Sequence, residues 1–155
     1  MLLDDHKIAL LQAPYTSIWA GSCAADDQAE VIRLSGATVQ DDRQHINLFV
    51  PERYTRAFIS NVGANPHISF LFASIQTFES YQVKGLFISQ RPCTSEEVTY
   101  QRNYMHGFAQ SMHAIRIKTA SLFEQYLQEP CLCIEMRGEE MYEQTPKVGT
   151  GNKIG

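Results

Sequence analysis

Along the chain, apolar and polar positions fall into two rhythms. Residues 3–12 place Ile8 and Leu11 on one side of a short amphipathic helix, stopped by Pro14. From Thr16 the period shortens. TSIWAGSC, EVIRLSGATV, HINLFV, HISFLFAS and SYQVKGLFIS are five runs rich in β-branched and aromatic residues, and four alternate with period two, the signature of strands buried on one face. In the third run Ile46, Leu48 and Val50 share a face; in the fourth Ile68, Phe70 and Phe72 do. A sixth strand is predicted at CLCIEMRG, residues 131–138.

The joints AADDQ and QDDRQ are short and polar, which is hairpin chemistry and makes their flanking strands antiparallel neighbours. Between Val50 and His67 the rhythm returns to helix: Tyr54, Phe58 and Val62 recur every four residues, and Asn65-Pro66 is a stop. Thr94 and Glu97 have capping-box spacing, so a helix begins there, and a second helical stretch is expected around Ile115 to Leu127. No repeat, low-complexity tract or linker divides the chain. The expectation is one domain over residues 1–155, mainly β with α: six antiparallel strands closing into a small barrel with flanking helices.

Composition agrees with a packed core: of 155 residues, 44% are hydrophobic and 19% charged. Apolar stretches fall far short of a membrane span, and Asp4, Asp5 and His6 precede any signal-like apolar run, so the reading is cytoplasmic with no membrane partner. A net charge of −4 offers no field for nucleic acid. Cys23, Cys93, Cys131 and Cys133 are few and uneven, which suits reduced thiols; Cys131 and Cys133 share a strand face without further soft ligands beside them, and no metal is expected.

Candidate chemistry is sparse. GxGxxG and GxxxxGK[ST] cradles are absent, the glycines of GTGNKIG open no helix, and no nucleophile signature or carboxylate pair is placed for acid–base work. Asp26-Asp27 and Asp41-Asp42 are hairpin tips. The fifth run puts Tyr81, Val83 and Phe87 on one face and Ser80, Gln82 and Lys84 on the other, beside Gly85; that polar face is either solvated or a ligand surface. Arg33 stands among apolar neighbours, and Thr55-Arg56 opens the helix after the third strand, where free amides and the helix dipole favour an anion. The segment YEQTPKVGTG at 142–151 is either a tail or a cover over a flat ligand, with Gln144 and Thr145 as neutral hydrogen-bonding groups.

Taken in order, EVIRLSGATVQDDRQHINLFVPE, NVGANPHISF, TFESYQVKGLF and YEQTPKVGTG resemble the pyridoxamine 5'-phosphate oxidase-like FMN-binding split-barrel proteins, in the small subgroup that ends in a QTP-Gly motif. The resemblance covers about residues 16–151. It implies a six-stranded Greek-key split barrel, a homodimer, and FMN at the dimer interface. Under it, Arg33 reaches toward the ribityl-phosphate, with Leu34 and Ser35 beside the ring. Thr55, Arg56, Ala57 and Phe58 fall on the phosphate-binding helix start. Ser80 and Gln82 fall on the strand that offers polar side chains to the cofactor; Lys84-Gly85 matches the family's lysine-glycine, at the cofactor or in a structural role; Gln144 and Thr145 lie against the cofactor or the neighbouring subunit, and Val50 is counted with the cofactor residues. Ala57 or Phe58 stands where related chains carry a basic residue, Glu79 stands in place of arginine, and QTPKVGTG replaces QTPGPGAG. The function implied is a flavin-dependent oxidoreductase passing electrons from a reduced nicotinamide to a small acceptor. The alternative is a flavin-binding or storage protein without turnover, or a dimeric scaffold with a vacant pocket.

Overall fold

The computed structural model describes residues 1–155. Its order is α1 (Asp5–Gln12), β1 (Thr16–Cys23), β2 (Ala29–Arg33), β3 (Gly36–Val39), β4 (His45–Pro51), a single 3-10 turn (Glu52–Tyr54), α2 (Arg56–Ala64), β5 (His67–Ser74), β6 (Ser80–Pro92), α3 (Ser95–Ala114), α4 (Leu122–Tyr126) and β7 (Cys131–Glu143). No helix is long and apolar enough to cross a membrane.

Seven strands are present where six were expected, in the order β2-β1-β5-β6-β7-β4-β3. The extra strand comes from the second run, which bends at Leu34-Ser35. Leu34 N–H donates to the Ile18 carbonyl of β1, and the next amide, Ser35 N–H, donates to the Phe49 carbonyl of β4. Two consecutive amides thus serve opposite neighbours, and β2 and β3 act as one strand that leaves β1 and joins β4. Through that bend the sheet closes on itself as a split barrel, all pairs antiparallel. The connection from β4 to β5 crosses the barrel end carrying α2, which makes the topology a Greek key.

The predicted inward faces are inward: Ile18, Ile46, Leu48, Val50, Phe70 and Phe72 are buried, joined by Val83, Ile134 and Met136. Phe58 and Val62 turn the face of α2 into the same core. Asp4 caps α1, accepting from Lys7 N–H at 2.9 Å. The capping box of α3 forms as its spacing predicts, with Thr94 Oγ1 accepting from Glu97 N–H at 3.2 Å and Glu97 accepting from Thr94 N–H at 2.8 Å. The helix expected over Ile115 to Leu127 shrinks to the five residues of α4, whose stretch keeps Ile115, Ile117 and Leu122 exposed and so lacks a continuous buried face to sustain it.

Candidate functional site

Because side chains alternate along each strand, the inward Ile18, Phe70, Phe72 and Val83 leave Trp19, Leu71 and Gln82 on the outside of the barrel. Strand register aligns these into a row: Arg33 opposite Trp19, Trp19 opposite Leu71, Leu71 opposite Gln82, and Gln82 opposite Tyr142. A second row runs beside it through Val31, Gly21, Ser69, Lys84 and Glu140. Its small central residues floor a trough of about 630 Å³. Trp19 is 40% exposed and Val31 61% exposed, so this face is apolar and uncovered.

Arg33 is the unusual member. Its guanidinium carbon lies 4.5 Å from the Phe108 ring centre, 4.8 Å from Phe123 and 5.4 Å from Trp19. Nη1 donates to Ser17 Oγ at 3.3 Å, while Nε and Nη2 are buried with no partner. No carboxylate pairs with it. Burial lowers its pKa, and the neighbouring phenols Tyr104 and Tyr126 oppose that shift only weakly; an arginine in such a place stays charged. Burial likewise pushes the Tyr126 phenol up to about 12. Orphaned buried N–H groups are rare, and on a cation they mark a place for an anion. Ser17 Oγ also accepts from the Trp19 indole N–H at 2.9 Å, so both donors converge on one oxygen.

The start of α2 lies next to this corner. Tyr54, just before it, stacks on Tyr126 with ring centres 4.7 Å apart, and Tyr126 donates its hydroxyl to the Arg33 carbonyl at 2.6 Å. A pocket of about 300 Å³ opens between Trp19, Val31, Arg33, Tyr54 and Tyr126. Arg56 and Ala57 are exposed at the helix start; Thr55 is buried and donates its hydroxyl back to the Glu52 carbonyl at 2.8 Å.

At the other end of the row the tail folds back. Gln144 N–H donates to the Ser80 carbonyl at 2.8 Å, Ser80 N–H donates to Thr145 Oγ1 at 3.0 Å, and Gln144 Nε2 donates to Gln82 Oε1 at 3.3 Å. Lys84 Nζ sits 4.5 Å above the Tyr142 ring. The chain then reverses through Gly149 and Gly151, whose φ of 94° and 91° favour glycine, and residues 152–155 pair with β7. The opening and closing strands of this hairpin are hydrogen-bonded.

The structure therefore gathers Arg33, Ser80, Gln82, Lys84, Gln144 and Thr145 on or beside the outer face, with Thr55, Arg56 and Ala57 at its Arg33 end. Leu34, Ser35, Val50 and Phe58 point inward and are fully buried. Ser35 spends its hydroxyl on Gln101 Oε1 at 2.7 Å, tying α3 to the barrel. Gly85 allows close approach of β7: a Cβ there would lie 2.0 Å from the Arg137 carbonyl oxygen. Glu79 accepts from the Tyr81 hydroxyl at 2.7 Å and pairs with His6 at 2.7 Å; burial pushes its carboxyl up, but these two bonds outweigh that and hold it below the ordinary range. Sequence reading passed over Ser17, Trp19, Leu71 and Tyr142. The available signal was the outward phase of the first run, which carries the chain's one tryptophan.

No protein-family model matches the chain, and no curated protein sequence matches it. Solved structures do. HupZ of Group A Streptococcus aligns over 99% of this chain and 100% of its own, with a TM-score of 0.58 at 11% identity. A candidate pyridoxamine 5'-phosphate oxidase of Lactobacillus delbrueckii aligns over 91% and 93%, TM-score 0.57 at 12% identity. An FMN-binding protein of Syntrophomonas wolfei aligns over 86% and 80%, TM-score 0.52 at 11% identity. At these identities the likeness is one of fold alone, a curled antiparallel barrel with flanking helices.

Proposed function

We propose that the whole chain acts as one split-barrel unit that binds FMN on the outer face between two copies of itself, in the cytoplasm. The carrying observation is the row that begins at the unpartnered Arg33 guanidinium and ends at the Gln82–Gln144 amides. From Arg33 to Gln82 is three strand spacings, or roughly 14 Å, a span suited to a phosphate at one end and a flat ring at the other. The residues fit the group. Arg33 offers charge-assisted donors to a phosphate, and Tyr54, which shares its pocket, leads into α2, whose first residue is the exposed Arg56. Trp19 and Leu71 offer an apolar bed to a ring, and Gln82, Gln144 and Ser17 offer neutral hydrogen bonds at its edge.

A single sheet face leaves one side of a flat ligand in water. A second copy applied to the exposed Trp19 and Val31 and the half-buried Leu71 covers that side and removes the apolar patch. The flavin, when bound, supplies electron transfer, and the chain's part is to bind, orient and exclude water. We assign it to oxidoreductase chemistry with a reduced nicotinamide as donor and a small molecule as acceptor. The FMN-binding name carried by one structural neighbour supports the cofactor. A flavin holder without turnover is the second reading, favoured by the enclosure of Arg33 under Phe108 and Phe123.

The test is a titration of the purified protein with FMN, followed by visible spectrum and sedimentation. A perturbed flavin spectrum at micromolar FMN and a two-copy mass support the proposal; free-flavin spectra throughout refute it. Oxidation of NADH or NADPH by the loaded protein then separates enzyme from holder.

A further inference from the structure

We propose that α4 is a lid on the Arg33 anion site and that the Phe123 ring holds the place an incoming phosphate must take; this regulation of the site rests on the reading above. The guanidinium has aromatic rings against it from two directions on the helix side. Phe108 comes from α3, is itself fully buried, and meets Phe123 edge-on at 5.0 Å. It is fixed. Phe123 comes from the five-residue α4 and is only half-buried. While Phe123 stays in place, Nε and Nη2 of Arg33 are closed off from water and from any ligand. A charge left in that state is costly, which favours any rearrangement that lets an anion in.

The attachment of α4 suits a part that moves. Its amides bond within their own stretch, Leu122 to the Thr119 carbonyl, Phe123 to Ala120 and Glu124 to Ser121. Its side chains hold it down through two rings and one ion pair: Phe123 meets Phe108 and the Arg33 guanidinium, Tyr126 stacks on Tyr54 and bonds the Arg33 carbonyl, and Glu124 forms a largely exposed pair with His106. Exposed pairs of that kind contribute little. The flanking Ala120 is buried and serves as the fixed end of the segment. Lifting α4 removes Phe123 from the guanidinium, while Phe108 and Trp19 remain on its other sides to flank the bound anion. Local opening of a five-residue element held by two half-buried rings costs less than unfolding the barrel.

Two measurements on the same protein test this without turnover. Phenylglyoxal labelling with peptide mass mapping reports access to Arg33, and amide exchange reports opening of residues 120–126. Arg33 is expected to react at least tenfold more slowly than the exposed Arg56. Tyr126→Phe, which removes one hydroxyl and leaves the packing, and Phe123→Ala, which removes the ring, should each speed it. In the unaltered protein, millimolar inorganic phosphate or FMN should protect Arg33 while making the amides of α4 exchange faster, because the anion holds the lid open; riboflavin, which has no phosphate, should not. Protection of Arg33 with unchanged α4 exchange overturns the lid and leaves FMN binding standing. Arg33 labelling equal in all three proteins, or phosphate and FMN without effect on either readout, also overturns it. An FMN effect absent where phosphate acts keeps the lid and removes the flavin.

Discussion

Gly85, opposite Gly138 at the bulge between β6 and β7, lies so close to Arg137 that a methyl group on it would lie 2.0 Å from the Arg137 carbonyl oxygen. Neither backbone can yield without parting the ladder on either side. Gly85→Ala is therefore expected to destabilise the fold by about 3 kcal/mol. Urea denaturation checks this: the midpoint should fall while the slope stays the same.

The cap of α3 carries a pH dependence. Glu97 bonds to Arg91 through both oxygens, at 2.6 and 2.8 Å, and that pairing is the main reason its carboxyl titrates below its ordinary 4.5. Since the folded value is the depressed one, the contribution is complete above the ordinary value and is lost as pH falls from there through the folded value. Glu97→Gln keeps the capping geometry and removes the charge. The variant should be less stable than the parent near neutral pH by about 1 kcal/mol, and the two should converge on acidification; thermal melts across that range decide it.

Much of the barrel was legible because alternation fixes which side of a strand is buried. Ile46, Leu48 and Val50, and Ile68, Phe70 and Phe72, need only their own spacing to be placed. What spacing cannot show is where one strand changes partners, and so the break at Leu34-Ser35 stayed hidden within an unbroken EVIRLSGATV. The site divides the same way. Gln82 and Lys84 were assigned from their phase on the strand. Arg33 was singled out for its apolar neighbours, but its enclosure depends on Phe108 and Phe123, seventy-five and ninety residues further on. Trp19 and Leu71 each stand on the outward phase of their own runs, but only the register across four strands shows that they fall in one row.

That row makes the dimer testable by charge. Leu71 lies mid-row between Trp19 and Gln82, outward and away from the core, so Leu71→Glu should leave the monomer folded. On the proposed interface it would place a carboxylate against apolar surface, near its counterpart in the other copy. Sedimentation at micromolar protein should then show one-copy mass with an unchanged circular dichroism spectrum. A variant that stays dimeric would move the interface elsewhere.

Arg33 separates stability from binding. A buried arginine with two unpartnered nitrogens and three aromatic rings against it is a poor stabiliser, and replacing such a charge by an apolar side chain of similar length is often neutral or favourable. Arg33→Met should hold or raise the melting temperature. If the guanidinium receives the phosphate, the same change should weaken FMN binding by roughly 2 kcal/mol, close to thirtyfold. A stabilised protein with undiminished FMN affinity would place the phosphate elsewhere, with Arg56 as the next candidate.

The tail gives the remaining test. Residues 143–155 form a hairpin on β7, and Gln144 and Thr145 tie its first strand to Ser80 and Gln82. The tip is free, with Val148 wholly exposed. Deleting 143–155 strips the bonds that Met141 makes to Ile154 and Gly155 but leaves its pairing with Val83 in the barrel. The barrel core, centred on Phe70, Phe72, Val83 and Ile134, is untouched. The shortened chain should therefore fold cooperatively with a modest loss of stability, about 1–2 kcal/mol. FMN affinity should fall more than stability does, since the Gln144 amide and the orientation of Gln82 are lost together. Full FMN affinity and full dimer mass in the shortened chain would mean that the hairpin only finishes the edge of β7.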